Sequence, residues 1–219
     1  MNNLKEIKQQ RNYWNKQLND FEAIYTKKKS GFSVWLDKVF RRDMFDRFVY
    51  TVENCKPVGS RVFLDIGCGT GLYSIELAKL GAKKVIGIDI AEKMVETSKM
   101  EAKSNNVLDR CEFHHSDLLE YKPKEEINVS FGIGLFDYIK DPLPVMKKMF
   151  DISKDSAIFA FPRLGTWRMP VRKVRLTLRG CDVYFFSKSK VEKLLQIAGF
   201  KKYRIDKVGK LFCAIGYKD

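Results

Sequence analysis

The chain has 219 residues, 45% of them apolar and 13% aromatic, enough to bury the core of one α/β domain and too apolar for a globally disordered chain. Lys and Arg outnumber Asp and Glu by 41 to 27, a net charge of +14 whose field concentrates anions and names none of them. No apolar run approaches the roughly 20 residues of a membrane span, the first residues lack a signal-peptide core, and Cys55, Cys68, Cys111, Cys181 and Cys213 form no CxxC pair, so a membrane span, a disulfide framework and a zinc site are not expected. A cytoplasmic protein with reduced thiols is the expectation.

Along the first 55 residues, Leu4, Ile7, Tyr13, Trp14, Leu18, Phe21 and Ile24 recur at helical spacing. A break at Lys27 to Gly31 follows, and a second helix carries Trp35, Val39, Phe45, Phe48, Val49 and Val52. Two amphipathic helices need a surface to pack on, so this segment should lie across the main domain. From Arg61 the pattern changes to strands alternating with helices, the mark of a parallel sheet covered on both faces. Strands are expected at 61–66, 84–89, 110–115, 127–133 and 156–161, with helices near 71–80, 92–105, 142–152 and 187–198. The runs 200–206 and 211–217 are too close for a crossover and must pair antiparallel. The expectation is therefore an α/β, doubly wound, seven-stranded and mostly parallel sheet. It has an antiparallel C-terminal hairpin, N-terminal helices and a basic cap insertion.

Between the fifth strand and the last helix, residues 162–186 are too long for a simple loop and suggest a lid or binding element. Arg163, Arg168, Arg172, Lys173, Arg175 and Arg179 lie here, and 163–180 holds no acid. Pro170 and Gly180 fit a helix start and stop. On that reading Val171, Val174 and Leu178 share one face while Arg172, Arg175 and Arg179 line another. Val174, Leu176 and Leu178 also alternate as in a strand, which leaves the element open.

The first strand runs into Asp65-Ile66-Gly67-Cys68-Gly69-Thr70-Gly71, with a helix starting at Leu72. A strand, glycine turn and helix N-terminus let a ligand approach the backbone. Dinucleotide folds need GxGxxG; here Leu72 holds the third position and glycine comes one residue early, at Gly71. This DxGxGxG pattern resembles motif I of class I S-adenosylmethionine-dependent methyltransferases, over about residues 61–161. The resemblance implies S-adenosyl-L-methionine as cofactor, with Asp65, Gly67, Cys68, Gly69 and Gly71 around its methionine part. Asp89, ending the second strand, would accept the ribose hydroxyls, or else cap the following helix. Ile90 and Met94 would lie against the adenine or ribose, and Asp117 with Leu118 would meet the adenine. His114 and His115 are strand neighbours pointing to opposite faces, a poor metal pair; one packs under the adenine on this reading.

After the fourth strand, Gly134-Leu135-Phe136-Asp137-Tyr138 borders the methyl donor. The family usually has a polar residue where Gly134 stands, and often a histidine pair in place of Asp137-Tyr138. Gly134 remains a cofactor-side residue. Asp137 and Tyr138 are the local candidates to orient or deprotonate an acceptor, or they tie the loop together. Arg168, Arg172 and Arg175 of the cap are candidate binders of a small anionic or polar acceptor, or a solvated face. The run 162–186 is similar to that of a group of small bacterial methyltransferase-domain proteins. The chain then reads as one methyltransferase domain: an N-terminal helical segment (1–55), a cofactor core (61–161), a substrate cap (162–186), and a last helix with hairpin (187–219). Two alternatives stand beside the small-molecule enzyme. One is a nucleic-acid methyltransferase, suggested by the charge, although no Asn/Asp-Pro-Pro-aromatic tetrad follows the fourth strand. The other is a non-catalytic S-adenosylmethionine-binding protein.

Overall fold

The computed structural model describes residues 10, 11, 13, 44–166, 169–178 and 181–218. The expected first helix and the start of the second fall outside these, apart from helical residues 10, 11 and 13. The second helix appears as α1 (44–54). Six further segments alternate as expected: β1 (Val62–Ile66), α2 (Leu72–Lys79), β2 (Lys84–Asp89), α3 (Glu92–Ser104), β3 (Cys111–His115) and β4 (Ile127–Gly132). They are followed by α4 (Leu143–Ile152), β5 (Ser153–Pro162), α5 (Met169–Thr177), α6 (Lys188–Ala198), β6 (Lys202–Val208) and β7 (Leu211–Tyr217).

One sheet of seven strands results, in the order β3-β2-β1-β4-β5-β7-β6. Strands β1 to β5 pair in parallel, and β7 inserts antiparallel between β5 and β6. The hairpin turns on Gly209 and Lys210, with Gly209 at φ 55°, so the link is shorter than a crossover permits. β5 starts three residues earlier than its apolar run predicts. Its first residue, Ser153, is also the C-cap of α4, and Ser130 and Ser153 share a 2.7 Å hydroxyl hydrogen bond that gives this polar start a buried partner.

Side-chain alternation divides the core cleanly. Phe63, Val85, Phe113, Phe131 and Ile158 face α1, α2 and α3, whereas Leu64, Ile86, Ile88, Phe159 and Phe161 face α4 and α6. Asp65 and Asp89 follow the parity of Phe63 and Val85 and therefore sit on the α2–α3 side. All five cysteines are free and buried. Among the described residues no helix is long and apolar enough to cross a membrane.

The insertion resolves as a helix over Met169–Thr177, so the strand alternative falls away. Its orientation differs from the amphipathic expectation. Val174 and Leu178 are 61% and 83% exposed, while Leu176 is buried and Arg172, one turn before it, also turns inward. The reason lies outside the helix: Arg172 forms an ion pair with Asp137 on the loop after β4, and that attraction rotates the helix away from its sequence-evident apolar stripe.

Candidate functional site

The order of strands reverses between β1 and β4, and the crevice outside their carboxyl ends is where an open α/β sheet accommodates a ligand. The glycine loop forms its floor. Gly67, Gly69 and Gly71 have φ of 70°, 55° and 82°, all in the left-handed region. Their surroundings differ. A Cβ on Gly71 would lie 3.1 Å from Ser98 and 3.2 Å from the Phe113 ring, so this glycine lets α2 approach α3 and β3. A Cβ on Gly69 would meet no atom within 4 Å. The early third glycine thus serves close packing, and the second leaves open space for a ligand.

The loop's first amides are already engaged. The N–H groups of Gly67 and Cys68 both donate to the Ile88 carbonyl, at 2.8 and 3.1 Å, and Gly69 N–H donates to Asp89 Oδ2 at 2.9 Å. Asp89 Oδ1 accepts from Ala91 N–H at 2.8 Å. Asp89 therefore braces the residue that begins α3, near the capping role the sequence offered, and in addition pins the glycine loop. Two amide bonds leave the carboxylate lone pairs that a diol could use. Burial pushes the Asp89 carboxyl above its usual range, opposed by the amides of Ala91 and Gly69. The Cys68 side chain turns into the core beside Gly87, so only its backbone faces the crevice.

Asp65 is buried and accepts a 2.7 Å hydrogen bond from Ser74 Oγ of α2. Burial raises its carboxyl to about 7; the Ser74 hydroxyl opposes the shift and the charge of Asp89 adds to it. A positive group in the crevice would favour the ionised form. Ile90 is half-buried, Met94 and Leu118 are buried, and Asp117 folds back onto Leu119 N–H at 2.9 Å. His114 does not lie bare under a ligand: it pairs with Glu112 at 2.7 Å and its ring centroid stands 5.9 Å from that of Tyr121. His115 is exposed, with Nε2 3.1 Å from the Ile90 carbonyl.

Across the crevice, Asp137 and Arg172 meet directly, joining one residue expected in catalysis to one expected in acceptor binding. The Asp137 side chain is only 4% exposed and that of Arg172 29%. Asp137 Oδ2 takes the guanidinium, while its Oδ1 is buried with no hydrogen-bond partner among the described residues. Tyr184 N–H donates to the Asp137 carbonyl at 2.8 Å, and Gln10 Nε2 donates to the Tyr138 carbonyl at 2.6 Å. The loop is thus clamped by the N-terminal segment, the cap helix and the strand of chain returning from it. Burial, and next the Asp137 charge, hold the Tyr138 phenol above its usual range. Arg168 and the side chain of Arg175 lie outside the described residues.

One residue close to the site carries no motif. Arg47 of α1 places Nη1 3.2 Å from where a Cβ on Gly134 would be, with Gly134 at φ 82°. The only trace in the sequence is the glycine standing where a polar side chain is usual.

The reversed strand order, the open glycine at the end of β1 and the acids at the ends of β1, β2 and β3 define a nucleoside-binding domain suited to a sulfonium cofactor rather than a dinucleotide. The family profile described as a methyltransferase domain matches residues 59–199, and the chain belongs to this family, whose cofactor is S-adenosyl-L-methionine. A Methanocaldococcus jannaschii protein, provisionally named a protein N5-glutamine methyltransferase, is 40% identical over 114 residues, 52% of each chain. The ubiquinone biosynthesis O-methyltransferase of Neisseria meningitidis serogroup C is 33% identical over 110 residues, 49% of this chain and 45% of that one. The chain spans about half the length of these curated relatives. Among solved structures, magnesium protoporphyrin IX methyltransferase from Synechocystis PCC 6803 with bound SAH superposes with a TM-score of 0.80 at 19% identity, covering 98% of this chain and 100% of that chain. At that identity the likeness concerns the fold.

Proposed function

We propose that this protein transfers the methyl group of S-adenosyl-L-methionine to a small acceptor that carries an O–H or N–H nucleophile and an anionic or polar group. The observation that carries the reading is Asp137 Oδ1 on the loop beyond β4, a buried carboxylate oxygen that meets no donor among the described residues. A buried acceptor atom left unsatisfied is costly, commonly about 1–3 kcal/mol, and a hydroxyl or amine of the acceptor would supply the missing hydrogen.

The bound cofactor supplies an electrophilic methyl group. Asp89 would accept the ribose hydroxyls on its remaining lone pairs, and Asp65, beside the glycine loop, would favour the cofactor's ammonium group. Asp117 and Leu118 would border the adenine, with Ile90 and Met94 near the adenine or ribose; Gly69, whose Cβ position meets no atom within 4 Å, gives room for close approach, while Gly67 and Gly134 would line the same crevice with Leu135 and Arg47 against them. On the acceptor side, Asp137 Oδ1 orients the nucleophile and takes its proton as the new bond forms. Tyr138, its phenol held above the usual range by burial and the Asp137 charge, is the second local group to orient the acceptor, as a hydrogen-bond donor. Arg172 shields Asp137 from water, and together with Arg168 and Arg175 offers cations to an acceptor carboxylate or phosphate. The relatives are named for protein glutamine and for ubiquinone biosynthesis, so the shared part is the cofactor half.

Incubating the protein with methyl-labelled cofactor and fractionated cell extract tests the proposal. Label should enter a low-molecular-mass, acidic or polar fraction, and charge reversal at Arg172 and Arg175 should raise the acceptor KM with little change in cofactor affinity. Label in RNA would instead establish the nucleic-acid reading. Tight cofactor binding without transfer to any fraction would establish the non-catalytic one.

A further inference from the structure

The outward face of α5 plays no part in the crevice. At 3.6 residues per turn, positions 170, 173, 174, 177 and 178 share one side of the helix, an arc of about 140°. Pro170, Lys173, Val174, Thr177 and Leu178 are all exposed. Leu178 N–H donates to the Val174 carbonyl at 3.0 Å, so the stripe continues one residue past the end of α5. Pro170, Val174 and Leu178 thus form an apolar row on successive turns, with Lys173 beside it. The opposite side holds Arg172, turned onto Asp137, and the buried Leu176. Single exposed aliphatic side chains are ordinary on a protein surface. A row at i, i+4 and i+8 on one helix is an apolar face turned to solvent.

The surroundings of this face are basic. Residues 163–180 include Arg163, Arg168, Arg172, Lys173, Arg175 and Arg179 and no acid. Arg163 N–H and Nη1 donate to the carbonyls of Lys210 and Gly209, at 3.0 and 2.9 Å, which ties the start of the segment to the β6–β7 turn. Lys207 of that hairpin is exposed, and so is Leu164, the neighbour of Arg163. Because β7 runs antiparallel to β5, with Leu211 opposite Pro162, the turn lies at the carboxyl ends of the parallel strands. That is also the end where Arg172 holds α5 over the loop after β4. Exposed aliphatic side chains set among cations therefore gather at one end of a chain whose net charge is +14.

We infer that the outer face of α5 docks on the surface of an anionic lipid bilayer, with Val174 and Leu178 entering the headgroup layer and Lys173 beside the lipid phosphates. A helix with an apolar side and basic neighbours lies in the membrane interface, and its hold grows with apolar area and with attraction to anionic lipid. Other occupants fit less well. A second copy of the chain would set Lys173 against its own counterpart between two bodies of like charge. Nucleic acid would satisfy the cations and leave Val174 and Leu178 in water. A protein partner needs about 20–30 residues a side for a standard interface, whereas this row is three side chains on the convex surface of one helix. A bilayer demands neither a matching groove nor a large area. Among the described residues no helix is long and apolar enough to cross it, so the attachment is peripheral. The inner side of α5 keeps Arg172 on Asp137, and docking sets the acceptor site beside the lipid surface.

Co-sedimentation with vesicles at physiological ionic strength tests the assignment. The protein should sediment with an equal mixture of phosphatidylcholine and phosphatidylglycerol and not with phosphatidylcholine alone, and raised salt should release it. Val174→Ser with Leu178→Ser leaves the net charge unchanged and should weaken binding about 10-fold, less than full burial of both side chains in an apolar medium would give. Lys173→Glu should weaken it about 10-fold as well, as expected for a reversed charge near an anionic surface. All three side chains are exposed, so the thermal unfolding midpoints of these variants should match that of the wild type. Failure to bind the mixed vesicles would overturn the assignment. Serine variants that bind them as the wild type does would also overturn it, because bulk positive charge would then account for the attraction. The same holds if the serine substitutions abolished self-association or retention of tRNA and left vesicle binding intact.

Discussion

Asp65 illustrates how one residue couples stability to pH. Its carboxyl is raised to about 7 in the fold, against about 3.9 in an unfolded chain. A raised carboxyl means that the folded state holds the proton more tightly. Its contribution to stability is complete below pH ~4 and is lost as pH rises through about 7. At most about 4 kcal/mol is at stake, at about 1.4 kcal/mol for each tenfold rise in proton affinity. Asp65→Asn keeps the shape and removes the titration, so we predict that stability of the cofactor-free variant falls less than that of the wild type between pH 4.5 and 8. Denaturant melts across that range measure it, and parallel curves for the two proteins would contradict the prediction. Gly87 is a second residue whose role only packing reveals: a Cβ there would fall 2.5 Å from Phe113 Cδ1. Gly87→Ala should therefore cost about 1–3 kcal/mol through overpacking, and Phe113→Leu in the same chain should recover part of that cost, measured as a double-mutant cycle.

The cap helix α5 is the element where pattern and structure part. Its sequence carries an apolar stripe and a basic stripe, and helical periodicity alone would bury the first. The fold turns Leu176 and Arg172 inward and leaves Val174 and Leu178 in solvent. An ion pair across 35 positions, with Asp137 almost wholly buried, overrides a local preference, and no spacing rule contains such a partner. Removing one member should be worse than removing both. We predict that Arg172→Met costs about 2 kcal/mol, a value reduced because the arginine keeps some contact with water. The double variant Arg172→Met with Asp137→Asn should regain much of it, as measured by urea denaturation. Additive losses would mean that the pair contributes no coupling. By contrast, β1 to β4 and α2 to α4 lie within one or two residues of their expected places, because buried parallel strands are short apolar runs and glycine loops mark where they end.

For the whole molecule, the cofactor should act as a stabiliser, since it binds the folded chain alone. At 100 times its Kd, S-adenosylhomocysteine should add about 2.7 kcal/mol. Asp89→Ala should abolish that thermal shift, because it removes both the proposed diol acceptor and the brace on Gly69 N–H. The net charge of +14 predicts weak association with any polyanion. If the acceptor is small, retention of tRNA should disappear between about 50 and 150 mM salt, as expected of a few nonspecific phosphate contacts. Retention at physiological salt would favour RNA.

The amino-acid sequence determined the doubly wound sheet and the antiparallel hairpin, each written in local periodicity or connection length, and its glycine loop carries the resemblance that implies the cofactor class. Only the tertiary structure decided how Asp89 divides its carboxylate between Gly69 and Ala91, which way α5 faces, that Asp137 and Arg172 are partners, and that Arg47 reaches Gly134. Those are contacts between residues up to 87 positions apart. Their energy depends on burial and charge brought together by the sheet, and neither quantity exists until the chain has folded.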